Sequence, residues 1–140
     1  MMRALLDTNI LLDVVLERQP FSEQAKAVLE LLERKQFTGL ICANSVTTVF
    51  YVIRKVVGTP RALLAVKSLL SLCEVAPVTH SVLERASVSL FSDFEDAVIH
   101  ESASQAAATI VVTRDIKDYR NATLAIYRPE ELVRLLSVNP

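Results

Sequence analysis

Apolar residues along this chain follow two alternating patterns. Short continuous runs, such as Ala4-Leu5-Leu6 and Ile110-Val111-Val112, carry no polar interruption, which is how strands covered on both faces read. Longer stretches space their apolar residues three and four apart, as one buried face of a helix requires. Residues 3–6 read as a first strand, ended by Asp7-Thr8-Asn9, and residues 10–17 as a helix capped by Thr8 or Asn9. Ser22 is placed to cap a helix with Ala25, Val28, Leu29 and Leu32 on one face, and residues 38–43 read as the second strand. Val46, Val49, Phe50, Ile53 and Val57 mark the next helix, which Gly58 closes; Tyr51 and Phe50 belong to its packing. Thr59-Pro60 opens another helix with a hydroxyl cap followed by proline.

Residues 74–78 form a third strand, and Ser81 with Glu84 resembles a capping box starting a helix that runs to about Phe91. An alanine-rich helix spans residues 93–108, and strands follow at 109–113 and 124–127. Pro129-Glu130-Glu131 opens the last helix with proline and acids, which a helix N-terminus favours. Strands separated by helices need crossover connections. The expected fold is therefore α/β, with a mostly parallel five-stranded sheet covered on both faces, in a single domain over residues 1–140.

Composition narrows the setting. With 51% apolar residues and two glycines in 140 residues, the chain has the material for a core, and long disordered stretches are not expected. Charges interrupt every apolar run short of the roughly 20 residues that a spanning helix needs, so no membrane segment is expected. Met1-Met2-Arg3 leads directly into a strand, without the pattern of a signal peptide. Cys42 and Cys73 lie in apolar segments and read as buried reduced thiols, so the expected compartment is the cytoplasm. A net charge of −1, from 15 basic and 16 acidic side chains, lends no support to a nucleic-acid partner. It does not exclude one for a protein that meets phosphate through bound cations, and local clusters such as Arg54-Lys55, Arg61 and Lys67 remain available.

The acids are the candidate chemistry. In open parallel sheets, ligands bind outside the carboxyl ends of the strands. Asp7 follows the first strand directly, and Asp115 follows the fourth after Thr113 and Arg114. The helix leading into the fourth strand must begin near that same edge, which brings Asp93 and Asp96 to it. Gathered carboxylates repel and are costly to desolvate. Mg2+ or Mn2+, hard cations that take oxygen ligands, would resolve the conflict, and no Cys/His grouping with zinc spacing competes. Each acid also suits an ordinary role: Asp7 and Asp93 as helix caps, Glu95 as a solvated first-turn acid, Asp118 as a turn residue. His100, one turn beyond Asp96, reads as a packed or exposed side chain before a metal ligand, and His80 as a loop residue.

Leu5-Leu6-Asp7-Thr8-Asn9, Asp93-Phe94-Glu95-Asp96-Ala97 and Val112-Thr113-Arg114-Asp115 followed by Asp118-Tyr119 resemble, in order and spacing, the acidic signatures of PIN domains. Many small prokaryotic members of that family are VapC-like toxins of toxin–antitoxin pairs. The resemblance implies a three-layer α/β/α sandwich, a magnesium- or manganese-dependent ribonuclease site, an RNA substrate, an antitoxin protein as partner and a homodimer. It would make Asp7, Asp96 and Asp115 the catalytic and metal-holding acids. Thr8, Asn9 and Thr113 would support them by hydrogen bonding, with Asp93 and Asp118 as secondary candidates.

One departure stands out. Most active PIN domains carry a glutamate in the helix after the second strand, where this chain aligns Thr48; the stretch resembles a PIN subgroup that commonly lacks the acid there. The missing charge implies weaker metal binding. It leaves a second expectation open beside ribonuclease activity: a PIN fold that binds RNA or a protein partner without cleaving. A third, phosphoryl transfer through Asp7 as nucleophile, lacks an evident phosphate-stabilising lysine. Arg114 and Lys117 have two readings as well, contact with a nucleic-acid backbone or plain solvated charge.

Overall fold

The computed structural model describes residues 1–138. The elements run β1 (Arg3–Leu6), α1 (Thr8–Val15), α2 (Ser22–Glu33), β2 (Thr38–Cys42), α3 (Ala43–Val57), α4 (Thr59–Leu72), β3 (Glu74–Ala76), α5 (His80–Ser87), α6 (Phe94–Gln105), β4 (Ile110–Val112), β5 (Ala125–Tyr127) and α7 (Pro129–Val138), with a 3-10 turn at Ile116–Tyr119. The two uninterrupted apolar runs pair side by side. Ala4, Leu5 and Leu6 register against Ile110, Val111 and Val112, and all four strand pairings are parallel.

The strand order is β3-β2-β1-β4-β5. The chain winds outward from β1 on one side, then returns to β4 beside β1, so the switch point lies between β1 and β4. Successive residues of one strand serve opposite faces. Ala4, Leu6, Ile110 and Val112 join α1, α2, α3, α4 and α7 in one core, whereas Leu5, Leu40, Cys42 and Val111 join α5 and α6 in the other. The result is the expected three-layer α/β/α sandwich.

Several local expectations are corrected. Asp7, not Thr8 or Asn9, caps α1, since helical geometry begins at Thr8. Ser22 lies inside α2, buried, and its hydroxyl accepts from Gln19 Nε2 at 2.9 Å rather than capping the helix. Thr59 is the first residue of α4 and Gly58 its cap. Thr79 caps α5 through Val82 N–H, and Glu84 approaches His80 at 3.4 Å instead of completing a box at Ser81. That helix stops at Ser87, well short of Phe91. Tyr51 is an exposed side chain, with the Arg54 guanidinium 5.4 Å from its ring centre; Phe50 alone packs against the core.

Gly58 stands at φ +87°, ψ 168°, a region that essentially only glycine occupies. Gly58→Ala is expected to lower stability by about 1–3 kcal/mol, read as a reduced urea midpoint with unchanged slope.

Candidate active site

The ladder between β1 and β4 runs one residue past Leu6, because Asp7 N–H donates to the Val112 carbonyl at 2.9 Å. Thr113 N–H likewise donates to the Tyr127 carbonyl at 2.9 Å. Two polar residues are thus fixed on backbone at the switch point, both buried. Asp7 Oδ1 accepts from Thr8 N–H at 2.7 Å and Oδ2 from the Thr113 hydroxyl at 2.8 Å. Asn9 Nδ2 spans the group, 3.0 Å from Asp115 Oδ2, 3.3 Å from the Thr113 hydroxyl and 3.5 Å from Asp7 Oδ2. Asp115 N–H donates to the same Thr113 hydroxyl at 3.1 Å.

Burial pushes the Asp7 carboxyl upward; the hydrogen bonds from Thr113 and Thr8 oppose that shift, as does the nearby Tyr119 hydroxyl. Asp96 enters from the first turn of α6, where Asp93 caps the helix by accepting from Asp96 N–H at 3.0 Å. Partial burial and the charges of Asp93, Asp7, Asp118 and Glu95 push the Asp96 carboxyl up to about 7. Its oxygens have no donor among the described residues.

Asp7, Asp96 and Asp115 therefore come to one edge of the sheet from three segments, with Thr8, Asn9 and Thr113 bonded among them and Asp93 and Asp118 adding to the field. The donors are all oxygen, which suits a hard divalent cation, and the charge is left uncompensated at Asp96. Among the described residues no three acid, histidine or cysteine groups are drawn close enough to enclose an ion as they stand. Magnesium often binds through only one or two carboxylates and completes its shell with water, so the set fits such an ion in an open, hydrated site.

Thr48 is exposed on α3, its hydroxyl donating to the Asn44 carbonyl at 3.2 Å, and it brings no charge to this edge. His100 is buried away from the acids: its Nε2 accepts from Thr123 and Leu124 N–H at 3.2 and 3.3 Å, and burial pushes its pKa down. Both contacts require an unprotonated Nε2.

Three polar residues of this region receive no role from sequence. Ser45, at the start of α3, accepts from the Thr8 hydroxyl at 2.7 Å, taking up a position near the site. Tyr119 is buried, close enough to Asp7 for the two to act on each other. Asp13, 1% exposed in an apolar run, receives Arg114 at 2.8 and 3.3 Å through both carboxylate oxygens. Arg114 also lies 4.1 Å from the Phe21 ring centre and 3.8 Å from Asp115 Oδ1. It is thus a bonded strut beside the site, not the free surface charge of one sequence reading. Asp13→Ala is expected to cost about 2 kcal/mol, less than the roughly 3–5 of a fully buried pair because Arg114 keeps access to water; thermal and urea unfolding read the loss.

Comparison with known proteins adds lineage to this geometry. The family profile described as "PIN domain" matches residues 3–117. Ribonuclease VapC1 of Aquifex aeolicus is 22% identical over 134 residues, covering 92% of each chain. The VapBC2 structure from Rickettsia felis, bound to a DNA fragment from their promoter, superposes with a TM-score of 0.71 at 20% identity over 91% of this chain and 98% of that one. A toxin–antitoxin complex from Klebsiella pneumoniae gives 0.68 at 25% identity over 90% and 97%.

Proposed function

The chain belongs to the PIN-domain family, and from that premise we propose that it is a metal-dependent ribonuclease, the toxin of a toxin–antitoxin pair. The observation that supports the reading is that Asp7 and Asp115 are joined through Asn9 and Thr113 at the switch point, with Asp7 within electrostatic reach of the half-buried Asp96. The resemblance to VapC1, itself a ribonuclease by name, points the same way. Asp7, Asp96 and Asp115 would hold Mg2+ or Mn2+, with Asp93 and Asp118 close by. When bound, such an ion supplies Lewis-acid polarisation and charge neutralisation to a phosphodiester.

The chain's own residues have separable tasks. Thr8 N–H and the Thr113 hydroxyl fix both oxygens of Asp7. Asn9 links Asp115 to that pair, tying the acid after β4 to the acid after β1. Lys117, exposed beside Asp115, is free to meet a phosphate; Arg114 is committed to Asp13. Partners need apolar surface, and Tyr51, Val56, Leu63, Leu64 and Leu70 leave such surface exposed along α3 and α4. An antitoxin and a second copy in a homodimer are the partners this reading assigns. No helix among the described residues is long and apolar enough to cross a membrane; the cytoplasmic setting is proposed on Cys42 and Cys73, both free thiols and buried.

Purified protein incubated with structured and unstructured RNA should cleave with Mn2+ or Mg2+ and stop in chelator. Cleavage indifferent to chelator would sink the metal-dependent reading. The second reading, an RNA- or protein-binding PIN domain without turnover, draws on Thr48, which leaves the site one carboxylate short. It requires RNA binding without cleavage under every metal condition.

A further inference from the structure

One buried polar group near the acids is unused by the chemistry so far. Tyr119, in the 3-10 turn after Asp115, is 2% exposed. Its ring is packed on its own account: Phe91 meets it edge-on with centres 5.8 Å apart, and it belongs to the apolar cluster with Leu5, Cys42 and Val111. A phenylalanine would make the same contacts. The hydroxyl is therefore surplus to packing, and it is buried with no hydrogen-bond partner among the described residues. A buried hydroxyl with no partner is unfavourable unless something satisfies it in another state of the site.

The groups around that oxygen indicate what does. The Asp7 and Asp96 carboxylates and the Cys42 thiol are the groups near enough to act on that oxygen electrostatically, Asp7 following β1 and Cys42 ending β2. It is near enough to Asp7 to act on it, although no closed hydrogen bond forms. An ionised carboxylate accepts at about four lone-pair positions. Asp7 takes Thr8 N–H on Oδ1 and the Thr113 hydroxyl on Oδ2, and the Asn9 contact to Oδ2 is only a 3.5 Å approach, so two positions are open, one for a cation and one for a further donor.

We propose that Tyr119 is a positioning residue for Asp7: its hydroxyl is the donor that the carboxylate takes up when a divalent cation is held at this edge. The group acts from inside the core, while Thr113 and Thr8 hold the same carboxylate from the end of β4 and the start of α1. Hydrogen bonds to metal-binding carboxylates orient them and commonly carry about 10–100-fold in metal affinity. The inference rests on the metal-holding role of Asp7 proposed above.

Mn2+ binding to Tyr119→Phe, Asp7→Asn and the parent protein, followed by the loss of the free-ion electron paramagnetic resonance signal, tests it without any turnover. Metal-free Tm is measured on the same samples. Tyr119→Phe should keep or raise the metal-free Tm, since the unmet hydroxyl is gone, and bind Mn2+ about tenfold more weakly. Unchanged Mn2+ affinity in Tyr119→Phe overturns the proposal, all the more if metal-free Tm falls, which marks a packing role alone. If the parent binds no Mn2+, both the metal reading and this inference fall. If the parent binds and Asp7→Asn does not, the metal reading stands and Tyr119→Phe decides the inference by itself.

Discussion

Asp7→Asn should fold, bind RNA and lose metal-dependent cleavage by at least about 10³-fold, since an ion stabilises transition-state charge by several kcal/mol and each 1.36 kcal/mol is a factor of ten. The fold should survive because the cap does. Asn accepts from a helix N-terminus about as well as Asp, and its remaining oxygen can keep the 2.7 Å contact to Thr8 N–H. Its new amide nitrogen faces the Thr113 hydroxyl, whose two acceptor positions are held by Asp115 N–H and the longer 3.3 Å Asn9 contact, so it displaces Asn9 there as the hydroxyl turns its proton away. The substitution also removes a desolvated charge, which offsets part of what the altered contacts lose. Asp7→Ala is the harsher control, forfeiting the cap at about 0.5–2 kcal/mol. Gel-resolved cleavage beside fluorescence anisotropy on the same RNA separates turnover from binding. Cleavage by Asp7→Asn within tenfold of the parent would remove Asp7 from the catalytic set.

The architecture and the acids were legible for one reason. Ala4-Leu5-Leu6 and Ile110-Val111-Val112 are apolar without a break because each residue faces one core or the other, and the acids follow where those runs end. A strand terminus is a property of local sequence, so Asp7 and Asp115 can be placed from it. Caps were less legible. Thr79 and Ser81 are both hydroxyls before the same apolar face, and the glutamate that favours Ser81 is drawn to His80 instead. Least legible were polar atoms whose partners come from afar. Asp13 meets Arg114 across 101 residues of sequence, and nothing in Leu11-Leu12-Asp13-Val14-Val15 distinguishes a paired buried acid from a solvated one. Tyr119 was visible in the motif Asp118-Tyr119, but its burial depends on Phe91 and β1 folding around it.

Asp96→Asn should invert the relation between stability and function. In the metal-free protein the Asp96 carboxyl is pushed up to about 7, first by burial and then by Asp93, Asp7, Asp118 and Glu95. The folded state then holds more protons than the unfolded state between about pH 4 and 7, so stability falls as pH rises through that window. Asn carries no such charge. In chelator the variant should match the parent near pH 4 and exceed it near pH 8, by on the order of 1 kcal/mol once solvent screening of a half-buried group is allowed for. For a chain of this size that is about 3–5 °C in Tm. Saturating Mn2+ should reverse the order: binding to the native state adds about 2.7 kcal/mol at one hundred times Kd, and only the parent holds the ion tightly. The crossing has a chemical origin, since the repulsion that raises the Asp96 pKa is what a cation relieves. Proton and metal therefore compete, and the half-saturating Mn2+ concentration of the parent should rise up to about tenfold per pH unit below 7. A variant no more stable than the parent in chelator at pH 8, or equally stabilised by Mn2+, would show that Asp96 lies outside the charged cluster that binds the ion.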